Sequence, residues 1–234
     1  MTDPVRLAKR VIELTGCSRA DADRYIEGGW VQVDGEVVEL PQFQVTDEQV
    51  VIDPTAVLSN TEPTTVLLHR SVGDTGSGDA LSTANHWAED ASGVRLLRRH
   101  LSHLSVSMDL DPQSSGLLVL CQEGPTKRRL QENRNSIEQE YVVEVSGQIT
   151  AYGLQRLSVG MRLSDRTLPP CKVSWQNEIR LRFAIKAVQP GQLQEMCAEV
   201  GLTTVAIRRI RIGKIPLAKM PVGQWRFLPA GETF

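Results

Sequence analysis

The middle of the chain reads Met108-Asp109-Leu110-Asp111-Pro112-Gln113-Ser114-Ser115-Gly116-Leu117-Leu118-Val119-Leu120. Its Pro, Ser and Gly residues predict a tight turn. The apolar run from Leu117 to Cys121 predicts a strand that is buried on both faces. Asp111 would then stand at the end of a rigid element, where a catalytic carboxylate can be held in position. The alternative is that Asp111 only caps the turn, as turn aspartates commonly do.

The composition indicates a water-soluble protein of one or two domains. The 234 residues contain no low-complexity tract and no apolar run near the ~20 residues of a membrane helix. The first residues lack the apolar core of a secretion signal, so we expect a cytoplasmic protein. Free thiols and no metal site are predicted from four well-separated cysteines, Cys17, Cys121, Cys171 and Cys197.

Charge is distributed unevenly along the chain. The formal net charge is −2, which by itself argues weakly against a nucleic-acid partner. Residues 1–62 hold 5 basic and 12 acidic side chains (net −7), whereas residues 172–234 hold 10 basic and 4 acidic ones (net +6). This polarity is compatible with a bound polyanion at one end or with two ordinary solvated surfaces.

The first fifty residues predict a helix–helix–hairpin module. Helical spacing of apolar residues runs from Val5 to Leu14, and Ser18 is a good N-cap for a second helix over 19–27. The segment 31–38 alternates around Asp34-Gly35, a strong hairpin signal. We expect a first domain over 1–53, a proline-bracketed linker over 54–63 and a second domain over 64–234.

This module resembles the RNA-binding domain first described in ribosomal protein S4. The resemblance rests on Arg6-Leu-x-Lys9 and on Cys17-Ser18-Arg19-x-x-Ala22-Asp23-Arg24-Tyr25-Ile26-x-x-Gly29-x-Val31-x-Val33-Asp34-Gly35. It implies contacts with RNA phosphates, which position RNA without reading its sequence. The residues to which it assigns these contacts are Arg6, Lys9, Ser18, Arg19 and Arg24. Without the resemblance, these side chains read as ordinary solvated helix positions.

The second domain mixes strands and helices without a regular alternation. Helices are predicted near 125–133, 150–160 and 191–200, a glycine-rich loop over 71–79, and strands over 138–145 and 203–215. A hairpin is predicted over 171–187. The fold class expected for the chain is therefore α+β, with a small N-terminal module and a mostly antiparallel mixed sheet.

Three blocks of the second domain resemble the bacterial pseudouridine synthases that act on single uridines of ribosomal RNA. The first is Leu110-Asp111-x-x-Ser114-Ser115-Gly116-Leu117-Leu118, like the family's Leu-Asp-x-x-Thr-Ser-Gly-Leu-Leu. The second is Glu138-x-x-Tyr141-Val142-Val143-Glu144-Val145. The third is Gln192-Leu193-x-x-Met196-Cys197, followed by Arg208-x-x-Arg211-Ile212-Gly213.

The resemblance implies an isomerase that needs no cofactor, with Asp111 as its essential carboxylate and Tyr141 stacked on the target uracil. Arg208 and Arg211 are expected to bind RNA, one of them close enough to Asp111 to counter its charge. The expected partner is RNA, most simply ribosomal RNA, bound by a monomer with no membrane association. Extruding the base from its stack costs roughly a few kcal/mol.

Several family residues are replaced in this chain. Asp109 stands where the family has Arg, and as a like charge near Asp111 it would tend to raise the pKa of that carboxyl group. The family's Lys before the tyrosine is Gln139. Its Arg-Gln-Ile-Arg-Arg-Met segment is Gly191-Gln192-Leu193-Gln194-Glu195-Met196, which removes three arginines that would hold phosphates.

Three functions therefore remain open from the sequence. The first is a divergent pseudouridine synthase, favoured by Asp111 in register with Ser114-Ser115-Gly116. The second is an RNA-binding protein that keeps the fold without catalysis, favoured by the lost arginines. The third is a protein-binding scaffold, which would suit the acidic first domain.

Overall fold

The computed structural model describes residues 3–58, 62–76, 78–163 and 166–234. These residues form two compact units, one up to Pro63 together with Arg95–Ser102, the other Thr64–Val94 with His103–Phe234. Residues 59–61 of the predicted linker and residue 77 of the predicted glycine-rich loop lie outside the described part of the chain.

The first unit has the predicted helix–helix–hairpin order. Helix α1 ends at Gly16, whose φ of +71° lies in the left-handed region that glycine adopts readily. Ser18 caps α2, because its side-chain oxygen accepts from the backbone N–H of Asp21 at 3.2 Å. The elements are β1 (Val5–Arg6), α1 (Leu7–Thr15), α2 (Arg19–Glu27), β2 (Val31–Val33), β3 (Glu36–Val37), β4 (Gln44–Val45) and β5 (Val50–Ile52).

One segment belongs to a different unit from the one predicted for it. The sequence places Arg95–Ser102 in the second domain, whereas its contacts lie with the first unit. Leu97 is buried, and Arg95 donates to the carbonyl of Gly29 at 3.0 Å while it lies over the Trp30 ring. Burial of Leu97 and the cation–π contact explain why this segment packs there.

The second unit is built on one large sheet. Short 3₁₀ helices at Gly78–Leu81 and Thr83–Asn85 lie between β6 and β7. Its regular elements are β6 (Thr65–Arg70), β7 (Ser105–Met108), β8 (Ser115–Cys121), α3 (Pro125–Glu132), β9 (Gln139–Gly147), α4 (Gly153–Ser158), β10 (Lys172–Asn177), β11 (Arg180–Ile185), α5 (Gln192–Ala198), β12 (Leu202–Ile212), β13 (Ile215–Pro216) and β14 (Trp225–Phe227).

The strand order confirms the expected α+β class with a mixed sheet. The order is β10-β11-β9-β12-β8-β6-β14, with β13 paired to β12 and β7 paired to β8. Strands β8 and β12 are parallel, and the other strand pairs of this sheet within the described ranges are antiparallel. Strand β8 is buried from Gly116 to Cys121, as its apolar run predicts.

Gly116 allows β8 to approach β12 closely. Its φ is +109°, and a Cβ atom at this position would lie 2.2 Å from the carbonyl oxygen of Arg209. Any side chain here would force the two parallel strands apart. The Ser-Ser-Gly turn after Asp111 is therefore tied to the central strand of the sheet.

Helices in the described residues are short. The longest of them have nine residues, and none is both long and apolar enough to cross a bilayer.

Candidate active site

A cavity of about 240 Å³ opens beside the turn that follows β7. Asp109, Asp111 and Ser114 line it from the turn, Tyr141 from β9 and Ile207 from β12. The segment 188–194 closes another side. Asp111 and Tyr141, predicted to share a cleft, thus line the same cavity.

Both carboxylate oxygens of Asp111 accept backbone hydrogen bonds. Oδ1 accepts from the N–H of Gln113 at 2.8 Å, which is the turn-capping bond of the alternative interpretation. Oδ2 accepts from the N–H of Gly191, 80 residues away, at 2.9 Å. Because the side chain is half-buried and also lines the cavity, capping the turn and facing a ligand coexist in one residue.

Arg70, the last residue of β6, binds the backbone of the Asp111 turn. Its side chain is 5% exposed and donates to the carbonyls of Leu110 at 3.0 Å and Ser114 at 2.6 Å, and also to that of Asp111. Burial lowers the pKa of Arg70, and the neighbouring guanidinium of Arg209 lowers it further. The negative charge of Asp111 acts in the opposite direction.

Arg209 fixes the other side of the same turn. It is fully buried, and it donates to the carbonyls of Met108, Asp109 and Leu117 at 2.7–2.9 Å. It also donates to the side-chain oxygen of Gln139 at 2.9 Å. Saturating a buried guanidinium with carbonyl acceptors stabilises it without a carboxylate partner.

Gln139 also positions Tyr141. Its side-chain oxygen accepts from the Tyr141 hydroxyl at 2.8 Å. Both side chains are buried, with exposed fractions of 4% each. Gln139, standing where the family resemblance expects lysine, therefore links Tyr141 to Arg209.

The expectation that Arg208 or Arg211 lies beside Asp111 is wrong. Both line a different cavity, because neighbouring residues of a strand point to opposite faces. Ile207 and Arg209 share the face of Tyr141, whereas Arg208 lies on the other face. A bulge between Arg209 and Arg211 places Arg211 with Glu140, and it donates to that carboxylate at 2.8 Å.

The replaced residues have local partners. Asp109 pairs with Arg134 at 2.8 Å, and both side chains line the cavity at its exposed edge. Glu195 pairs with Arg166 at 3.0 Å, and Gln194 lines the cavity. The Arg134 charge thus offsets the acid that stands next to Asp111.

The five predicted RNA contacts of the first unit are all exposed. Two of them are engaged locally, because Ser18 caps α2 and Arg24 pairs with Asp21 at 3.3 Å. Arg6, Lys9 and Arg19 have no side-chain hydrogen bond or ion pair among the described residues. Their assignment to RNA stays a prediction.

Three residues that position the site were missed from the sequence: Arg70, Arg209 and Gly191. A signal for each was present. Arg70 ends an otherwise buried strand, Arg209 falls on the inward register of β12 with Ile207, and Gly191 precedes a helix. Arg70 and Arg209 bind backbone carbonyls and Gly191 binds the Asp111 carboxylate, all at separations of 40 to 101 residues, which no local pattern identifies.

No cysteine is among the described residues that line this cavity. Burial raises the pKa of Cys171 and of Cys197 to about 11, which keeps both as unreactive thiols. Within the described ranges, no three His, Cys, Asp or Glu side chains converge as metal ligands.

Comparison with known proteins covers nearly the whole chain. Residues 5–51 match the model of the S4 domain family. The chain is 27% identical over 230 residues to the dual-specificity RNA pseudouridine synthase RluF of Escherichia coli K12, a match that covers 97% of this chain and 77% of that relative. It is 26% identical to the ribosomal small subunit pseudouridine synthase A of the same strain, over 97% of this chain and 98% of the relative.

The fold is also found among solved structures. A crystal structure of a pseudouridylate synthase superposes with a TM-score of 0.59 and 20% sequence identity, covering 96% of each chain. At this sequence identity the likeness supports the fold alone. The sequence matches reported above cover both the first fifty residues and the rest of the chain.

Proposed function

We infer that this chain, a divergent member of the bacterial RNA pseudouridine synthases with an N-terminal S4 domain, isomerises a uridine of structured RNA to pseudouridine. Ribosomal RNA is the substrate class that we propose, since one of the relatives is named for the small ribosomal subunit. The observation that carries the proposal is the shared cavity of Asp111 and Tyr141, held by two buried arginines.

The reaction needs no oxidant and no external group. The bond between uracil N1 and ribose C1′ breaks, the base turns, and a bond forms between C5 and C1′. N1 gains a proton and C5 loses one, so atoms and electrons balance within the nucleotide. One well-placed carboxylate can therefore serve twice, first at the sugar as nucleophile or base and then as acceptor of the C5 proton.

Asp111 fits this task because its backbone cannot move away. Arg70 and Arg209 bind carbonyls on both sides of the turn, and Gly191 holds one carboxylate oxygen. A rigid carboxylate loses little entropy when the base enters, which is how positioning contributes to rate. The cavity of about 240 Å³ is smaller than the roughly 300–1,000 Å³ of drug-sized pockets, so it suits a single base.

Tyr141 supplies the flat apolar surface on which a flipped uracil can stack. Leu110, Leu193 and Ile207 line the same cavity and add apolar walls. The Tyr141 hydroxyl donates its proton to Gln139, which leaves its oxygen lone pairs to accept a hydrogen bond. Base–aromatic stacking of this kind is worth about 1–3 kcal/mol per base.

Arg134 is the cation placed to take a phosphate next to the flipped nucleotide. It lies at the exposed edge of the cavity, half-exposed, and Asp109 holds its guanidinium. Arg134 would therefore take over part of the role of the arginines replaced by Asp109, Gly191, Gln194 and Glu195. In the first unit, Arg6, Lys9 and Arg19 would bind phosphates elsewhere on the RNA.

The second candidate is an RNA-binding protein without catalysis. The replacement of family arginines and the occupation of both Asp111 oxygens by backbone N–H groups favour it. The same experiment separates the two candidates.

The test is pseudouridine mapping of ribosomal RNA from cells that lack the gene. We expect one modification to be missing, to return with the wild-type gene, and to stay absent with Asp111→Asn. Asp109→Asn removes the neighbouring acid of the same cavity and should restore the modification. An unchanged map in the deletion strain, with RNA still bound by the purified protein, would establish the binding protein instead.

An assay in solution isolates the chemical step. RNA carrying tritium at uracil C5 should release it to water with the wild-type protein and not with Asp111→Asn. The Asp111→Asn variant must keep the unfolding midpoint and RNA affinity of the wild type, so that lost release reports chemistry and not misfolding. Release by Asp111→Asn at the wild-type rate would remove Asp111 from the mechanism.

A further inference from the structure

In the second unit, another cavity lies on the face of the sheet opposite to the Asp111 cavity. Its volume is about 480 Å³, twice that of the Asp111 cavity. Glu140 and Arg208 line it, whereas their strand neighbours Tyr141 and Ile207 line the first cavity. The segment 216–220, which follows β13, forms its opposite wall. We call it the basic cavity, after the charged residues Arg182, Arg208, Arg211, Lys219 and Glu140 that line it.

These residues make the basic cavity positive, although the whole chain is negative. Four cations and one carboxylate line it, and Glu138, which does not line it, also binds Arg211 at 2.7 Å, so this group of side chains carries a net charge of +2, against −2 for the chain. Glu140 binds Arg182 at 3.1 Å and Arg211 at 2.8 Å, and these arginines lower the pKa of its carboxyl group. Glu140 is thus shared between two cations and cannot neutralise the others.

Arg208 and Lys219 are the two cations of the basic cavity that Glu140 does not bind. Both are exposed, and neither has a side-chain hydrogen bond or ion pair within the described ranges. Arg208 is held on β12 by its pairing with Val142 and with Ser115. A cation on a central strand and another on the facing loop form a fixed pair of donors for an anion.

A buried polar atom lies in the wall of the same cavity. His69 is 5% exposed, and its Nδ1 lies 2.7 Å from the carbonyl of Met220, which places the ring proton on Nδ1. Burial lowers the pKa of His69, with Arg208 adding to the shift, so the ring is neutral. Its Nε2 is a buried acceptor without a partner among the described residues. Such atoms are rare in folded proteins. A phosphodiester has only acceptor oxygens and cannot donate to this atom, whereas the 2′-hydroxyl of a ribose can.

We propose that the basic cavity binds the phosphodiester backbone of RNA, at a site separate from the uridine being modified. Arg208 and Lys219 would take phosphate oxygens, whereas Arg182 and Arg211 are already paired with the carboxylates of Glu138 and Glu140. The proposal rests on the proposed function only for RNA as the partner, because no step of the isomerisation passes through this cavity. The basic lining calls for an anionic partner, and the matching S4 domain favours RNA over an acidic protein.

The binding test uses the full chain in an Asp111→Asn background, so that RNA is bound without turnover. Affinity for a ribosomal RNA fragment is measured by fluorescence anisotropy from 50 to 300 mM salt, in the presence and absence of Arg208→Gln with Lys219→Gln. We expect at least a tenfold loss of affinity, and a slope of log K against log salt that is smaller by about 1.4–1.8 for two phosphate contacts. The matched control is Lys172→Gln with Lys186→Gln, two exposed lysines at the start of β10 and just after β11, outside both cavities.

Equal losses in the control pair, or an unchanged slope in the test pair, would overturn the proposal. Displacement of RNA by free ATP from the protein that carries Asp111→Asn alone, but not from the test pair, would assign the cavity to a nucleotide and also overturn it. As a second measurement, bound RNA should protect Lys219 from acetylation and leave Lys172 reactive. Because none of these readouts requires pseudouridine formation, a catalytically inactive chain could still support the proposal, and an active chain could still refute it.

Discussion

The two faces of the central sheet use arginine in different ways. On the face of Asp111, Arg70 and Arg209 are buried and bind backbone carbonyls. On the other face, Arg182 and Arg211 remain partly solvated and bind carboxylates. The buried guanidinium groups therefore fix the shape of the chain, whereas the solvated ones shape a positive surface. On β12 the two faces are one residue apart, because the neighbouring side chains of Arg208 and Arg209 point to opposite sides of the sheet.

The largest expected effect comes from replacing Arg209 by an uncharged side chain, and the same replacement at Arg208 is the comparison. Arg209→Met removes the donor to the carbonyls of Met108, Asp109 and Leu117 and leaves Gln139 with Tyr141 alone, so we expect the free energy of unfolding to fall by about 3–5 kcal/mol. Arg208→Met, on the exposed face, should change it by no more than about 0.5 kcal/mol. Urea unfolding measures both, and similar losses would refute the contrast between the faces.

An effect of similar size is expected from a side chain that fills the narrow gap between β8 and β12. Gly116→Ala combines left-handed strain of about 1–3 kcal/mol with the displacement of the Arg209 backbone, at about 1–3 kcal/mol more. Gly223→Ala is the matched control, because Gly223 has a φ of +80° and no atom within 4 Å of the added Cβ. The loss of stability in Gly223→Ala should therefore report the left-handed backbone strain alone. If both variants lose the same stability, the close approach at Gly116 has no energetic weight.

The buried His69 of the basic cavity should make the stability of the protein depend on pH. Burial lowers the pKa of His69 in the folded state, so the unfolded chain binds a proton near pH 6.5 that the folded chain does not. Stability should therefore fall as the pH drops from 7.5 to 5, by at most about 1.4 kcal/mol for each pH unit. The carboxylate Glu140, whose pKa is lowered, acts only below about pH 4.5.

His69→Gln should reduce this decline without abolishing it, because burial also lowers the pKa of His100, and the exposed His103→Asn serves as the matched control. Unfolding measured in urea at several pH values provides the comparison. An unchanged decline in His69→Gln would mean that other groups cause it.

The smallest expected effect concerns the hydroxyl of Tyr141. Tyr141→Phe removes one hydrogen bond to Gln139, whose oxygen still accepts from Arg209, so we expect a loss of about 1 kcal/mol or less. Tritium release by the same variant then reports the hydroxyl alone, because the ring and the fold are kept. A stability loss of several kcal/mol would instead make Tyr141 a structural member of the arginine network.

Periodicity and turn chemistry predicted most of the elements and the general form of the site. The alternation around Asp34-Gly35, the N-cap at Ser18 and the buried run after Gly116 all depend on contacts between near neighbours. Asp111 was identified as a candidate because its turn and strand are contiguous in sequence. The supporting residues Arg70 and Arg209 were not, because their hydrogen bonds span from 40 to 101 residues of chain.

The sequence by itself determined the α+β class, the helix–helix–hairpin module and the candidacy of Asp111, since these follow from local spacing and from turn chemistry, and the resemblance of its motifs to a known family added Tyr141. Only the tertiary structure decided which arginine lies beneath the Asp111 turn, that Arg208 lies on the other face, and that Arg95–Ser102 packs with the first unit. A bulge moves a side chain from one face to the other through a shift of one residue. Such a shift depends on how distant strands pair, and pairing is a property of the folded sheet.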